Sequence, residues 1–167
     1  MCADLFHSGH VNYLRQCCDV AGNVDVHLIV GIHSDATIEG YKRAPVCTME
    51  ERISVVECCT YVCEVLADAP LQVTADFMKE HAIDFVVHGT EVPELERRAM
   101  YDYPITQGRY AEVPRTGGIS TTAIIDRIAS RLAVEVKEDE HALPSERKPA
   151  AVVVKELREK QKAKTKN

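Results

Sequence analysis

Stretches typical of buried β-strands alternate with stretches typical of helices along much of this chain. Val26–Ile32 is a nearly continuous run of β-prone apolar residues, and Tyr61–Leu66 and Ile83–His88 predict two further strands. A continuous apolar run predicts an interior strand covered on both faces, as in parallel sheets. Because helical patterns separate the runs, the sequence predicts an α/β fold with a three-layer parallel sheet.

The helices between these strands have recognisable starts. Thr48 and Glu51 predict a capping box, followed by Arg52 on the first turn and by apolar residues at core spacing. Thr74 can cap a short helix that runs to His81. The remaining elements predicted are a helix after His10 that stops near Ala21–Asn23, a helix over 94–100 and a short strand over 109–113.

Two histidines and a glycine stand at the start of the first predicted helix. His7, Gly9 and His10 form the pattern His-x-Gly-His. Free backbone N–H groups at a helix start attract an anion, a glycine removes a Cβ that would hold a phosphate off, and two imidazoles can add donors. The tetrapeptide alone is a modest signal, because two histidines near a turn are also typical of solvent-facing residues or casual metal ligands.

Composition narrows the classes of function. The 167 residues are 46% hydrophobic, which predicts one ordinary globular domain with a tail, and the net charge of -6 argues against nucleic acid as the main partner. Seven cysteines without a Cys-x-x-Cys spacing match neither a zinc site nor a secreted disulfide framework, so we expect buried reduced thiols. No transmembrane segment or signal peptide is evident, which predicts a cytoplasmic protein.

The chain changes character after Val136. Residues 137–167 are highly charged, are interrupted by Pro144 and Pro149 and end in several lysines. We therefore expect a folded domain over 1–136 and a charged tail over 137–167. A solvated, partly helical tail is the simpler interpretation, and a membrane-surface or partner-binding arm is the alternative.

A turn rich in glycine and hydroxyl groups precedes the last predicted helix. Pro114–Thr122 contains Gly117 and Gly118 followed by Ser120 and two threonines, which predicts a flexible turn and a capped helix start. Helical spacing then predicts a buried stripe made of Ile124, Ile125, Ile128 and Leu132.

Three separated pieces together resemble one family. Asp4–His10, the pair His88-Gly89 and Arg115–Thr122 are similar to the motifs of the cytidylyltransferases that activate phosphorylated alcohols. The last piece matches the family's Arg-Thr-x-Gly-Ile-Ser-Thr-Thr signature at every defined position, and the similarity runs from Asp4 to about Leu132. The resemblance implies a Rossmann-like nucleotidyltransferase domain that transfers CMP from CTP to a phosphomonoester and releases pyrophosphate.

The resemblance also implies roles for individual residues. The catalytic residues would be His7, His10, Lys42 and Arg115. The nucleotide-binding residues would be Asp4, Leu5, Phe6, Ser8, Gly9, His88, Gly89, Thr90, Glu91, Thr116, Gly117, Gly118, Ile119, Ser120 and Thr121. Simpler interpretations exist: Lys42 as an exposed loop lysine, His88 as a hydrogen-bonded strand-end histidine, and Ser120 and Thr121 as plain helix caps.

The resemblance favours phosphoethanolamine as the acceptor. Gly31–Asp35 and the pair His88-Gly89 look closest to ethanolamine-phosphate cytidylyltransferases, and Leu71 stands where the choline-phosphate branch has an aromatic residue. A cationic choline head favours an aromatic face. Glycerol-3-phosphate enzymes remain an alternative. Mg²⁺ is expected to come with CTP, although no carboxylate cage is visible, and the family also allows a homodimer.

The chain departs from the family at its start. The first motif usually follows a strand that ends in Gly-x-Phe-Asp, where this chain has Met1–Asp4. We therefore expect either that coding sequence precedes Met1 or that a sheet without this central strand is weakened. The departure sustains a rival interpretation, a nucleotide-binding or regulatory domain that has lost turnover. An adenylyltransferase is a weaker third, because the signature at Arg115–Thr122 belongs to the cytidylyl branch.

Overall fold

The computed structural model describes residues 1–22 and 24–140, which alternate between helices and strands. The helices are α1 (Ser8–Asp19), α2 (Asp35–Glu39), α3 (Met49–Glu57), α4 (Ala75–Glu80), α5 (Glu94–Thr106) and α6 (Thr121–Glu140). The strands are β1 (Ile29–Gly31), β2 (Glu64–Leu66), β3 (Val86–Gly89) and β4 (Tyr110–Val113). The chain divides into two compact units, Met1–Thr121 and a second that begins at Thr122.

The four strands form two parallel pairs. In one pair β1 runs beside β2 with Val30 opposite Val65, and in the other β3 runs beside β4 with Val87 opposite Ala111. The predicted parallel α/β arrangement is confirmed, but it is divided over two sheets rather than one. In the described part of the chain, β1 and β3 do not pair with each other.

A cavity of about 630 Å³ is lined by residues of both β1 and β3. The N–H of Ile32 donates to Leu66 of β2 at 2.9 Å, whereas the N–H of His33 donates to Met1 at 3.2 Å. Because successive residues of a strand turn their backbone groups to opposite sides, Gly31 faces the same side as His33. Met1 therefore lies along the edge of β1 away from β2, where its amine also donates to the carbonyl oxygen of Gly31.

The core of the first unit joins α1, β1 and α3. Leu14, Val30, Ile32 and Val56 are buried and pack together with Ala3. Leu14 and Val56 stand at the positions where helical spacing predicts core residues. Burying aliphatic side chains of this size stabilises the fold by about 1.5–3 kcal/mol each.

The predicted helix starts are confirmed. The Oγ1 of Thr48 accepts the N–H of Glu51 at 3.3 Å, and the Glu51 carboxylate accepts the N–H of Thr48 at 2.9 Å, which is the predicted capping box. Thr74 caps α4 in the same way through the N–H of Phe77 at 3.2 Å. Each such cap stabilises its helix by about 1 kcal/mol.

Two helices differ from the sequence prediction. Helix α2 was not predicted, and it begins because the side chain of Ser34 accepts the N–H of Thr37. Helix α5 extends beyond the predicted end at residue 100, with non-helical dihedral angles at Tyr101 and a proline at position 104. A proline removes one helical hydrogen bond, which accounts for a kink one turn before it.

Two predictions of burial were wrong in part. Of the seven free cysteines only Cys17 is buried, while Cys58 and Cys63 are exposed. In α6, Ile128 is 52% exposed and Leu132 43% exposed, so the predicted stripe does not bury its second half. Apolar spacing shows which side chains share a helix face, but it does not guarantee a surface to cover that face.

The described residues contain no helix that is long and apolar enough to cross a membrane. The charged tail predicted over 137–167 lies outside the described residues from position 141 onward. The domain boundary at 136 stays a prediction.

Candidate active site

The two histidines of the His-x-Gly-His pattern cap the helix that they begin. The Nδ1 of His7 accepts the N–H of Gly9 at 3.1 Å, and the Nδ1 of His10 accepts the N–H of His7 at 3.2 Å. Together they form a capping box in which imidazoles replace the usual hydroxyl and carboxylate. The two rings stack with their centroids 3.9 Å apart.

This capping fixes the tautomer of both rings. A nitrogen that accepts a hydrogen bond carries no hydrogen, so a neutral ring must carry its hydrogen on Nε2. Burial lowers the pKa of His10 to about 4 and also lowers the pKa of His7, with a smaller contribution from the charge of Arg115. Both rings are therefore neutral near pH 7, and each retains one Nε2–H donor for an anion.

Gly9 is required by its neighbours. A Cβ at this position would lie 2.8 Å from the ring of His7 and 3.0 Å from Cγ2 of Ile119. The structure shows that Gly9 makes room for the capping ring, and the room for a phosphate that the sequence predicted stays a prediction. Its proximity to Ile119 also brings the two sequence-distant motifs together.

Two further hydrogen bonds join the first motif to the turn at Pro114–Thr122. The Nδ2 of Asn12 donates to the Oγ1 of Thr116 at 2.7 Å. The Oγ1 of Thr121 donates to the carbonyl oxygen of Asp4 at 2.8 Å. The second of the two glycines in this turn, Gly118, has a φ of 78°, which an L side chain rarely adopts. The histidine-rich and the glycine-rich turns therefore lie against each other.

The backbone that leads into the motif is strained. Ala3 and Leu5 have φ values of 57° and 45°, in the left-handed region that side chains disfavour. Phe6, which follows, stacks on His10 with the ring centroids 5.3 Å apart. Strain of this kind is held by surrounding contacts, here the burial of Ala3 and the packing of Phe6.

Asp4 anchors the loop that carries Lys42. Its buried carboxylate accepts the N–H groups of Val46 and Cys47, both at 3.0 Å. Lys42 itself is exposed, and its Nζ lies 5.5 Å from the centroid of the Tyr41 ring. The structure thus gives Asp4 a structural contact and leaves Lys42 on an exposed loop, without a hydrogen bond to either histidine of the motif.

Arg115 forms an ion pair with Glu91. Its Nη1 lies 2.5 Å from the Glu91 carboxylate, and both side chains are more than half exposed. Arg115 is also close enough for its charge to lower the pKa of both His7 and His10. Two predicted site residues from different motifs therefore meet beside the histidine pair.

A second group of side chains lies at the carboxyl ends of β1 and β3. The Nδ1 of His33 lies 2.8 Å from the carbonyl oxygen of Ala69, and the Nδ1 of His88 lies 3.1 Å from that of Gly89. The ring of Tyr101 packs 4.9 Å from the ring of His88. In open parallel sheets, ligands bind at such strand ends.

The other predicted site residues are spread around these contacts. Thr90 donates its N–H to Val113 at 3.2 Å, which extends the pairing of β3 with β4. The remaining positions fall into two groups by accessibility, with Ser8 and Gly117 exposed and Gly89 and Ser120 half-buried.

The sequence did not single out several residues that shape the site. Asn12 and Tyr101 lie on helices between the motifs, and Arg52 is buried although it is charged. Asn12 carried one usable signal, since it stands two residues after His10 in a helix whose first turn was already assigned to the site. Tyr101 had no such signal, because its position depends on the kink in α5.

The described residues contain no group of three or more histidine, cysteine, aspartate or glutamate side chains that could hold a metal ion. Asp4, whose charge acts on His10, already binds two backbone N–H groups. These side chains fit a magnesium ion only if the nucleotide's own oxygens provide its ligands.

The histidine pKa values predict a pH-dependent stability. Burial lowers the pKa of His10 and of His33 from 6.5 to about 4. Between about pH 4 and 6.5 the unfolded chain binds protons that the folded chain does not. The free energy of unfolding should therefore have its full value above about pH 6.5 and should decrease as the pH falls toward 4. Urea midpoints measured between these limits test this, and His10→Asn should reduce the decrease. A midpoint that stays constant over this interval contradicts the prediction.

Comparison with protein-family models places the chain in a known group. The model described as cytidylyltransferase-like matches residues 2–127. A lipopolysaccharide core biosynthesis protein from Thermoplasma volcanium has a similar structure, with a TM-score of 0.52 and 16% identity, covering 72% of this chain and 93% of that one. The structural likeness supports the fold alone.

Curated relatives come from two branches of this group. The chain is 39% identical over 128 residues to an ethanolamine-phosphate cytidylyltransferase of Mus musculus, covering 76% of this chain and 31% of the relative. It is 40% identical to a probable ethanolamine-phosphate cytidylyltransferase of Encephalitozoon cuniculi, covering 76% and 38%. It is also 40% identical to choline-phosphate cytidylyltransferase A of Rattus norvegicus, covering 75% and 34%. The chain spans about a third of the length of these relatives.

Proposed function

The chain belongs to the cytidylyltransferase-like family, and from this we propose that it transfers a cytidylyl group from CTP to phosphoethanolamine, releasing pyrophosphate. The observation that carries the proposal is the contact between the two sequence-distant motifs. Asn12 binds Thr116, and Gly9 lies against Ile119, so both motifs can bind one triphosphate. Relatives named for this reaction support the choice of chemistry.

In the proposed mechanism the protein orients and stabilises charge. The acceptor's phosphate oxygen attacks the α-phosphorus of CTP while the bond to pyrophosphate breaks. The Nε2–H groups of His7 and His10 donate to triphosphate oxygens. Arg115 leaves its ion pair with Glu91 and binds the nucleotide instead. Neutral donors suit this task, since they strengthen as charge develops and need no proton transfer. Lys42, on its exposed loop, would reach the phosphates from the other side.

The proposal includes the conditions of the reaction. Magnesium would enter as the CTP complex and be held by triphosphate oxygens, because the described residues offer no cage for it. A bound magnesium ion would supply further stabilisation of negative charge. The cytoplasmic location and the homodimer stay predictions.

The purified chain should form CDP-ethanolamine and pyrophosphate from CTP and phosphoethanolamine. A panel with phosphocholine and glycerol 3-phosphate, each with CTP or ATP, tests the acceptor and the nucleotide together. Product with CTP and phosphoethanolamine supports the proposal. Product formed with ATP but not with CTP, or with glycerol 3-phosphate but not with phosphoethanolamine, contradicts it.

A second candidate is a nucleotide-binding domain without turnover. It is favoured by the cavity that β1 and β3 line, because space beside the strand ends leaves a bound substrate free to move, whereas catalysis requires precise positioning. Binding of CTP by calorimetry without product formation would support this candidate over the first.

A further inference from the structure

The ring of His33 offers a hydrogen-bond acceptor. Its Nδ1 lies 2.8 Å from the carbonyl oxygen of Ala69, and because a carbonyl oxygen can only accept, Nδ1 carries the hydrogen. Burial lowers the pKa of His33 to about 4, so the ring is neutral near pH 7. A neutral ring protonated on Nδ1 keeps a lone pair on Nε2.

His88 has the same arrangement. Its Nδ1 lies 3.1 Å from the carbonyl oxygen of Gly89, and burial lowers its pKa. The buried ring of Tyr101 packs against it and limits its rotation. His33 and His88 are therefore a pair of acceptors, whereas His7 and His10, whose Nδ1 atoms accept backbone N–H groups, are a pair of donors.

We propose that Nε2 of His33 and Nε2 of His88 accept hydrogen bonds from the primary ammonium group of the acceptor substrate and thereby select phosphoethanolamine over phosphocholine. The inference rests on the proposed cytidylyl transfer. Both side chains line the cavity that runs along β1 and β3. A primary ammonium has three N–H groups to donate, whereas a trimethylammonium has none. The chain is about equally identical to relatives named for either acceptor, so overall identity does not decide between the two.

A series of methylated substrates tests the proposal on the unaltered chain. Two acceptors require two N–H groups, so kcat/KM should be similar for phosphoethanolamine and its monomethyl derivative. It should then fall by about 10-fold or more for the dimethyl derivative and again for phosphocholine, as expected for hydrogen bonds to a charged group. Equal kcat/KM across the series, or a rise with methylation, would overturn it.

Variants at His33 distinguish the hydrogen-bond acceptor at Nε2 from the packing of the ring. His33→Leu should lower kcat/KM for phosphoethanolamine by about 10- to 100-fold and leave phosphocholine within about threefold. His33→Gln, whose amide oxygen can take the place of Nε2, should recover most of the loss. His81→Leu is the matched control, because His81 lies at the end of α4 and does not line this cavity. An equal loss for both substrates in His33→Leu would assign His33 a structural role and refute the proposal.

Two measurements distinguish this inference from the proposed function. The ¹⁵N shifts of the imidazoles should show the Nδ1–H tautomer for His33 and His88, and the opposite tautomer would overturn the acceptor pair whatever the activity. If no acceptor supports CTP turnover, the proposed function fails on its own. The ammonium site is then judged by calorimetry, where tighter binding of phosphoethanolamine than phosphocholine supports it and equal binding overturns it.

Discussion

Replacing His10 by alanine should lower kcat for cytidylyl transfer by about 2–4 kcal/mol of transition-state stabilisation, a factor of roughly 30 to 1,000. The ring supplies an Nε2–H donor, because its Nδ1 is occupied by the N–H of His7. Alanine also removes that cap, which should cost about 1 kcal/mol of helix stability. The variant therefore loses two functions of one ring, and kcat and the urea midpoint must be measured together.

His10→Asn separates the two functions. The Oδ1 of asparagine can accept the N–H of His7 as Nδ1 does, so the cap and the urea midpoint should be largely retained. The side chain is too short to replace the Nε2–H donor, so kcat should fall as far as in His10→Ala. A normal kcat in His10→Asn, with a loss only in His10→Ala, would show that the histidine serves the helix and not the reaction.

The capping by His7 and His10 shows what the sequence could and could not predict about the site. Their place at a helix start follows from the apolar spacing after His10, and the match at Arg115–Thr122 indicated that two distant turns converge. The sequence did not predict which ring nitrogen of each histidine carries the hydrogen. This depends on the backbone group that each ring nitrogen contacts, and that group can be distant in sequence, as Ala69 is from His33.

The fold shows the same division between local and distant effects. Capping by Thr48 and Thr74 is a contact over three residues, so the sequence predicts it well. The division into two sheets depends instead on which strands pair with each other, and no local sequence pattern describes this pairing. Strand lengths were overestimated for a related reason, since an apolar run extends beyond the residues that find a partner strand.

Replacing Arg52 by leucine should lower the free energy of unfolding by about 3–5 kcal/mol, the largest change in stability that we expect from a single substitution in this chain. Arg52 is 2% exposed and donates to the carbonyl oxygens of Cys2 at 2.6 Å, His33 at 2.8 Å and Cys47 at 3.2 Å. It also binds the Asp35 carboxylate at 2.6 Å. Urea unfolding followed by circular dichroism measures the loss, which is a large fraction of the total stability of a typical domain.

Arg98→Leu is the matched control for this prediction. Arg98 forms ion pairs with Glu94 at 3.2 Å and with Asp102 at 3.3 Å, but its side chain is 47% exposed, so the same substitution should change stability by less than about 1 kcal/mol. A buried ion pair can often be replaced by apolar residues without loss when both partners are removed. This does not apply to Arg52, because three of its four hydrogen-bond partners are backbone carbonyls, which no substitution removes. A second change, Asp35→Leu, should therefore recover little of the loss, and full recovery would contradict this account of Arg52.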